Sequence, residues 1–246
     1  LGGNPDLEPE EADTWTYGVL WNPSFLDGLS VKVDYYDIQI DKAITQLLEQ
    51  DIVNACYFVE QDASGAFCQL ITRSPLTGSL NAGSTVGVFR SFVNSASETA
   101  TGVDFDIRYA FEIGDAGSID LGLAATYVLE RNSKPAEFLA EYDCAGLVGN
   151  TCLRPTPEWS LVQTTQWTMG PATVQLLWRY IDSITQDTVA FGDADASDFA
   201  VPTIPSQSYF DLTGAYDLND NWTLRAGISN LFDRDPPIVG NDYGGT

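Results

Sequence analysis

Residues 101–112 read Thr-Gly-Val-Asp-Phe-Asp-Ile-Arg-Tyr-Ala-Phe-Glu, with Val103, Phe105, Ile107, Tyr109 and Phe111 on one side and Asp104, Asp106, Arg108 and Glu112 on the other. Successive side chains of a strand point to opposite faces, so a period of two sorts residues this way and a helical period does not. The same period recurs at 12–22 (Trp15, Tyr17, Val19, Trp21), 28–36 (Leu29, Val31, Val33, Tyr35) and 118–130 (Ile119, Leu121, Leu123, Ala125, Tyr127, Leu129). It returns at 171–181 (Ala172, Val174, Leu176, Trp178, Tyr180), 207–218 (Phe210, Leu212, Tyr216, Leu218) and 221–230 (Trp222, Leu224, Ala226, Ile228). The stretch 158–169 is noisier, because Gln163 and Thr165 share a face with Trp159 and Leu161. Eight strands are predicted. Ile44, Leu47, Leu48, Ile52 and Ala55 instead fall at spacings of three and four, which predicts an amphipathic helix over 41–55.

The connections alternate in length. Short ones fall at 23–27, 113–117, around Gly170 and at Asn219 with Asp220; long ones at about 41–96, 131–157 and 184–206. In an up-and-down array alternate connections share an end, so short turns gather at one rim and long loops at the other. That is the layout of an outer-membrane barrel, whereas a sandwich has no reason to sort its loops by length. On this topology Trp21, Trp167 and Trp222 lie near the short-turn rim and Trp15, Trp159 and Trp178 toward the long-loop rim, as two interfacial belts would. The aromatic preference for strands is the lesser, alternative account of those positions. No run approaches the roughly 20 apolar residues of a spanning helix.

The 246 residues carry 35 Asp and Glu against 11 Lys and Arg, a formal net charge of −24, with no histidine. Such an excess repels a phosphate backbone, so no nucleic-acid partner is expected. Without histidine there is no Ser-His-Asp or Cys-His catalysis and no imidazole metal site. Nothing marks a nucleophile elbow, P-loop or dinucleotide fingerprint, and carboxylate pairs mean little in so acidic a chain, so no enzyme activity, catalytic residue or cofactor is expected. Asp193, Asp195 and Asp198 are spaced oxygen ligands that could suit calcium, but the loop lacks the glycine and terminal glutamate of an EF-hand, and a solvated acidic loop is the default account. Cys56 and Cys68 share the first long connection, Cys144 and Cys152 the second. Of three possible connectivities the sequence-local pairing closes the smallest loops, which predicts two disulfides and an oxidising environment on the long-loop side.

Several strings resemble one family. Gly3-Asn4-Pro5-Asp6-Leu7-Glu8-Pro9-Glu10, followed by the strand around Trp15 and Tyr17, resembles the N-P-x-L-x-P-E segment within the barrel of TonB-dependent outer-membrane receptors. Val33-Asp34-Tyr35-Tyr36-Asp37-Ile38 looks like that family's next strand, and Thr101-Gly102-Val103-Asp104 is similar to its T-x-G-[VI]-[DE] strand opening. Asn230-Leu231-Phe232-Asp233-Arg234-Asp235-Pro236-Pro237 resembles the N-L-F-[DN] segment ending its penultimate strand. The resemblance implies an all-β, antiparallel up-and-down transmembrane barrel, of which residues 1–246 are the incomplete C-terminal part: about eight strands of a barrel of about 22. It implies a plug domain with its TonB box and a closing strand outside this sequence, which starts at Leu1 without a signal-peptide pattern and stops at Tyr243-Gly244-Gly245-Thr246, where an external loop should begin. Implied too are the outer membrane of a Gram-negative bacterium and energy-coupled import of a scarce nutrient: a siderophore, cobalamin, a metal complex or an oligosaccharide. The implied partners are outer-membrane lipid and lipopolysaccharide, the receptor's own plug and remaining strands, and the TonB complex through the plug.

On the polar faces, Lys32, Asp34, Asp104, Asp106, Arg108, Asp120, Glu130, Gln175, Arg179, Asp211 and Arg225 are expected to face the lumen, where plug contact or solvation accounts for them without a substrate. Three other readings stay open: a small closed eight-stranded barrel, a surface β-module binding a partner through disulfide-braced loops, and a barrel enzyme whose base is not histidine. If the apolar faces pack against a second sheet, the surface module is right; if they meet lipid, the barrel is.

Overall fold

The computed structural model describes residues 4–5, 7–81, 86–90 and 92–240. Leu1, Gly3 and Asp6 of the opening string and the terminal Tyr243-Gly244-Gly245-Thr246 lie outside the described residues. Eight long strands form one sheet: β1 (Glu11–Trp21), β2 (Leu29–Gln46), β3 (Phe92–Glu112), β4 (Ser118–Lys134), β5 (Trp159–Met169), β6 (Ala172–Ile181), β7 (Gln207–Asn219) and β8 (Trp222–Ile228). Each pairs with its neighbours in sequence, in the order β1 to β8 without a crossover, and the sheet is open among the described residues. The pairs β4–β5, β5–β6, β6–β7 and β7–β8 are antiparallel. A two-residue strand, Tyr142–Asp143, also pairs with β4, and two small sheets with strands of two or three residues complete the β structure.

The short turns are tight for a steric reason. Gly28 (φ +84°) and Gly117 (φ +94°) hold left-handed backbone, and a Cβ at either position would run into the carbonyl of Ala110 or Thr168 on a neighbouring strand. Glycine is the residue that supplies both the dihedral and the clearance.

The predicted helix over 41–55 is corrected. β2 runs to Gln46, and only Glu49–Asn54 is α-helical, followed by a π-helix, Ala55–Glu60. Lys42 sits at φ +54° within β2, a local irregularity that shifts the phase of the side chains beyond it. Phase-shifted strand followed by helix mimics a spacing of three and four. The first long connection accordingly spans 47–91 rather than 41–96, the second 135–158 and the third 182–206.

The chain divides into two compact units, one of Leu1–Asp13, Ile38–Thr99 and Asn132–Tyr142, the other of Thr14–Asp37, Ala100–Arg131 and Asp143–Thr246. The first has an apolar cluster: Leu47, Ile52 and Ala136 are buried beneath Phe67, Leu70, Ile71, Val88, Val93, Phe138 and Leu139. In the second, Ala125 is the one apolar residue of the long strands that is buried among the described residues, and neither Val103 nor Tyr109 is buried. A two-sided sheet without a dry interior is a wall rather than half of a sandwich.

Candidate functional site

The register builds two continuous faces within the second unit. Asp120 pairs with Gln166, which pairs with Gln175, which pairs with Thr213; Thr126 pairs with Ser160, Arg179 with Tyr209, and Ala215 with Arg225. One residue along, Ile119 pairs with Trp167 and Trp167 with Val174, Tyr127 with Trp159, Leu176 with Leu212 and Leu212 with Ile228. Because the strand period is two, a register that aligns one apolar position aligns all of them. Aromatic rings stack on this second face, Tyr127 on Trp159 at 4.5 Å between centroids and Trp178 on Phe210 at 6.0 Å. Trp21 ends β1, Trp222 opens β8, and Trp167 donates to the Ala116 carbonyl of a short turn at 2.7 Å; Trp159 opens β5 directly after a long connection.

The polar face carries three concavities. Lys32, Asp34, Asp104, Asp106, Thr126 and Arg179 gather around one of about 570 Å³. Asp106, Arg108, Asp120, Gln166 and Gln175 line a second of about 470 Å³, and Gln175, Thr213 and Arg225 a third of about 580 Å³. Several of the charges here are paired: Lys32 with Asp34 at 2.6 Å, Arg108 with Asp106 at 3.1 Å, Arg179 with Asp211 at 2.9 Å, while Thr126 donates to Asp104 at 2.6 Å. Ten of the eleven sequence-predicted polar-face residues either line these concavities or pair with a residue that does; Glu130 lines none of them. Thr126, Gln166 and Thr213 were missed, although each sits at a polar-face step of its strand.

Both predicted disulfides form, Cys56–Cys68 and Cys144–Cys152. In the first loop the Glu60 carboxylate accepts from the backbone N–H groups of Phe67 and Cys68. In the second, Asp187, fully buried, accepts from the N–H groups of Thr151 at 2.7 Å, Cys152 at 2.9 Å and Thr188 at 2.7 Å. Leu147–Val148 pairs in parallel with Thr185–Gln186, so Asp187 and a short β-ladder join the second and third connections. No local pattern marks Asp187 in the sequence. Asp195 and Asp198 cap a single turn reciprocally, and among the described residues no group of three His, Cys, Asp or Glu is arranged to hold a metal.

The model of one protein family, TonB dependent receptor-like, beta-barrel, matches residues 1–231 of the sequence. No curated protein matches the chain. Among solved structures, the ferric enterobactin receptor PfeA of Pseudomonas aeruginosa superposes with a TM-score of 0.57 at 15% identity, over 93% of this chain and 27% of its own. The ferric-catecholate import receptor Fiu of E. coli K12 does so with a TM-score of 0.55 at 16% identity, over 98% and 26%. The siderophore receptor PirA of Acinetobacter baumannii gives 0.56 at 16%, over 94% and 29%. The chain therefore spans between a quarter and three-tenths of the length of these receptors, and the likeness is one of fold.

Proposed function

Because this chain belongs to the TonB-dependent receptor family, in its β-barrel domain, we propose that residues 1–246 are the C-terminal part of the barrel wall, with external loops, of a receptor that imports a scarce small nutrient. Family membership makes it an outer-membrane protein of Gram-negative bacteria. The observation that carries the reading is the pair of continuous faces, one apolar and aromatic, the other polar with ion pairs along it. A bilayer asks for this division, since hydrocarbon meets the outer face while the interior holds water or a plug. Asp104, Asp106, Arg108, Arg179 and Arg225 then face the lumen and contact the receptor's own plug domain, through which the TonB complex delivers energy. Lipid surrounds the apolar face, and lipopolysaccharide the outer rim. The names of the structural neighbours support a chelated metal as one class of cargo.

Nitroxide labels placed singly at Phe105, Ile107, Asp106 and Arg108 of the full-length receptor in outer-membrane vesicles test the orientation. Labels at 105 and 107 should collide with oxygen dissolved in lipid, and those at 106 and 108 with a water-soluble nickel chelate. The reverse pattern ends the reading. Growth on a limiting nutrient should depend on both the receptor and the inner-membrane energy complex.

A further inference from the structure

The first long connection carries an open, solvent-exposed depression of about 740 Å³ that the wall-and-lumen reading does not use. It is lined by Tyr57, Gln61, Asp62, Gln69, Thr72 and Arg73 together with the Cys56–Cys68 disulfide. That volume lies within the roughly 300–1,000 Å³ range of small-molecule sites. Two local features around it are uncommon. The π-helix Ala55–Glu60 is a form that recurs at functional sites, and Gln61, which ends it, holds φ +51°, where a glycine or asparagine is normally found.

Arg73 gives the cavity its chemistry. Its guanidinium lies 5.9 Å over the Tyr57 ring, donates one N–H to the Tyr57 hydroxyl and one to the Gly78 carbonyl, each at 2.9 Å, and meets no carboxylate within ion-pair distance among the described residues. Arg90, Arg108 and Arg179 each find a carboxylate in this strongly acidic chain, whereas Arg73, like Arg154, Arg225 and Arg234, finds none among the described residues. A guanidinium has five N–H donors in a rigid fork, so three remain for a ligand. Asp62 is occupied: its Oδ1 accepts from the backbone N–H and the hydroxyl of Ser64, which holds its carboxyl below the usual range. Gln69 uses its amide N–H on the Ala63 carbonyl and keeps its oxygen as an acceptor, and Gln61 and Thr72 add neutral polar groups. One fixed cation, one ionised Asp62 and neutral acceptors and donors favour a ligand with a single negative charge over a dianion.

We propose that this cavity binds a small, hydroxyl-rich molecule through one carboxylate, which the free edge of the Arg73 fork takes while Gln61, Gln69 and Thr72 bond its hydroxyls. A cyclic sugar acid and an open-chain polyhydroxy acid share this chemistry. The inference deepens the uptake reading and rests on it for its biological sense.

Calorimetry on the full-length receptor in detergent tests it with D-glucuronate, D-gluconate, D-glucose and glucose 6-phosphate as probes. One of the two acids should bind at least about tenfold tighter than glucose, because a bidentate charged pair is worth about that much, and tighter than the phosphate ester, whose second negative charge is opposed by the ionised Asp62; the better acid identifies the source. Arg73→Ala should weaken the acid about tenfold or more and Arg73→Lys should restore only part, since the fork is lost. Asp62→Asn, which keeps the Ser64 contact, should tighten it by about threefold through removal of a nearby like charge. An intact Cys56–Cys68 bond in each variant, checked by alkylation and mass, shows that the loop has formed. Equal binding of glucose, preference for the phosphate ester, or indifference to both Arg73→Ala and Asp62→Asn overturns the inference. If the oxygen and nickel collisions still orient the wall and nutrient-dependent growth persists, such a result leaves the uptake reading standing.

Discussion

The two disulfide-braced loops solve one problem by different means. In each, the backbone N–H of the second cysteine, Cys68 or Cys152, ends on a carboxylate. In the first loop that acid is Glu60, inside its own ring, and the surrounding support is the apolar cluster of Leu47, Ile52 and Ala136. In the second it is Asp187, which lies 35 residues from Cys152 along the chain, and the support is polar, a carboxylate excluded from solvent and satisfied by three amides. The first loop thus keeps its capping acid inside its own ring and leans on apolar packing shared with Ala136 of the second connection, whereas the second takes its capping acid from the third. Apolar packing tolerates small displacements, whereas a buried carboxylate is favourable only while its donors stay in place.

The sharpest way to break this contrast is Asp187→Ala. It strips three partly buried amides of their acceptor at about 1–2 kcal/mol each, so about 3–6 kcal/mol of local stability should go. Hydrogen exchange on the receptor should show protection lost at 147–153 as well as around 187; loss confined to the mutated turn would mean the two connections are independent. Ile52→Ala should cost about 3 kcal/mol by leaving a cavity, with exchange rising across 47–72 and unchanged at 147–153. Replacing either cysteine pair by serine should cost about 2.5–3 kcal/mol, nearly the same for both rings because loop entropy grows only with the logarithm of length. The contrast would then appear in what survives: protection at Ile52 persists without Cys56–Cys68, while protection at Thr151 falls without Cys144–Cys152. The smallest effect is acid titration at Asp62. Its carboxyl is held below the usual 3.8, first by the Ser64 backbone N–H and then by its hydroxyl. The stabilisation is therefore complete above that pH and lost as pH falls through the lower folded value, and exchange at the Ser64 amide should rise only there.

What could be read beforehand follows the same division between regions. The strand code was legible where two solvents impose opposite demands on alternate residues, as along Val103 to Phe111 or Ile119 to Leu129. It faded where those demands end. In β2 the apolar residues switch sides between Tyr35 and Tyr36, continuing as Ile38 and Ile40, and the alternation stops looking like a strand although the strand continues to Gln46. The first part of β3, Phe92 to Ala100, is mostly small and polar, with no greasy side to betray it. β2, β3 and β4, of 18, 21 and 17 residues, exceed the roughly nine to eleven that a crossing strand needs. The cysteines paired as expected because each pair is local. Asp187 stayed invisible because its partners are distant, and Arg73 because an unpaired charge is defined by what fails to lie near it.

A register in which every second residue answers to a different medium has a consequence for how such a chain can change over generations. Swapping one apolar side chain for another on the face of Trp178 and Phe210 keeps the register, but deleting a single residue at the start of β6 would move Gln175 and Arg179 onto that apolar face and Val174 and Trp178 onto the polar one. Drift in these segments is confined to spelling, and additions or losses of length accumulate in the connections, where novelty costs the wall nothing.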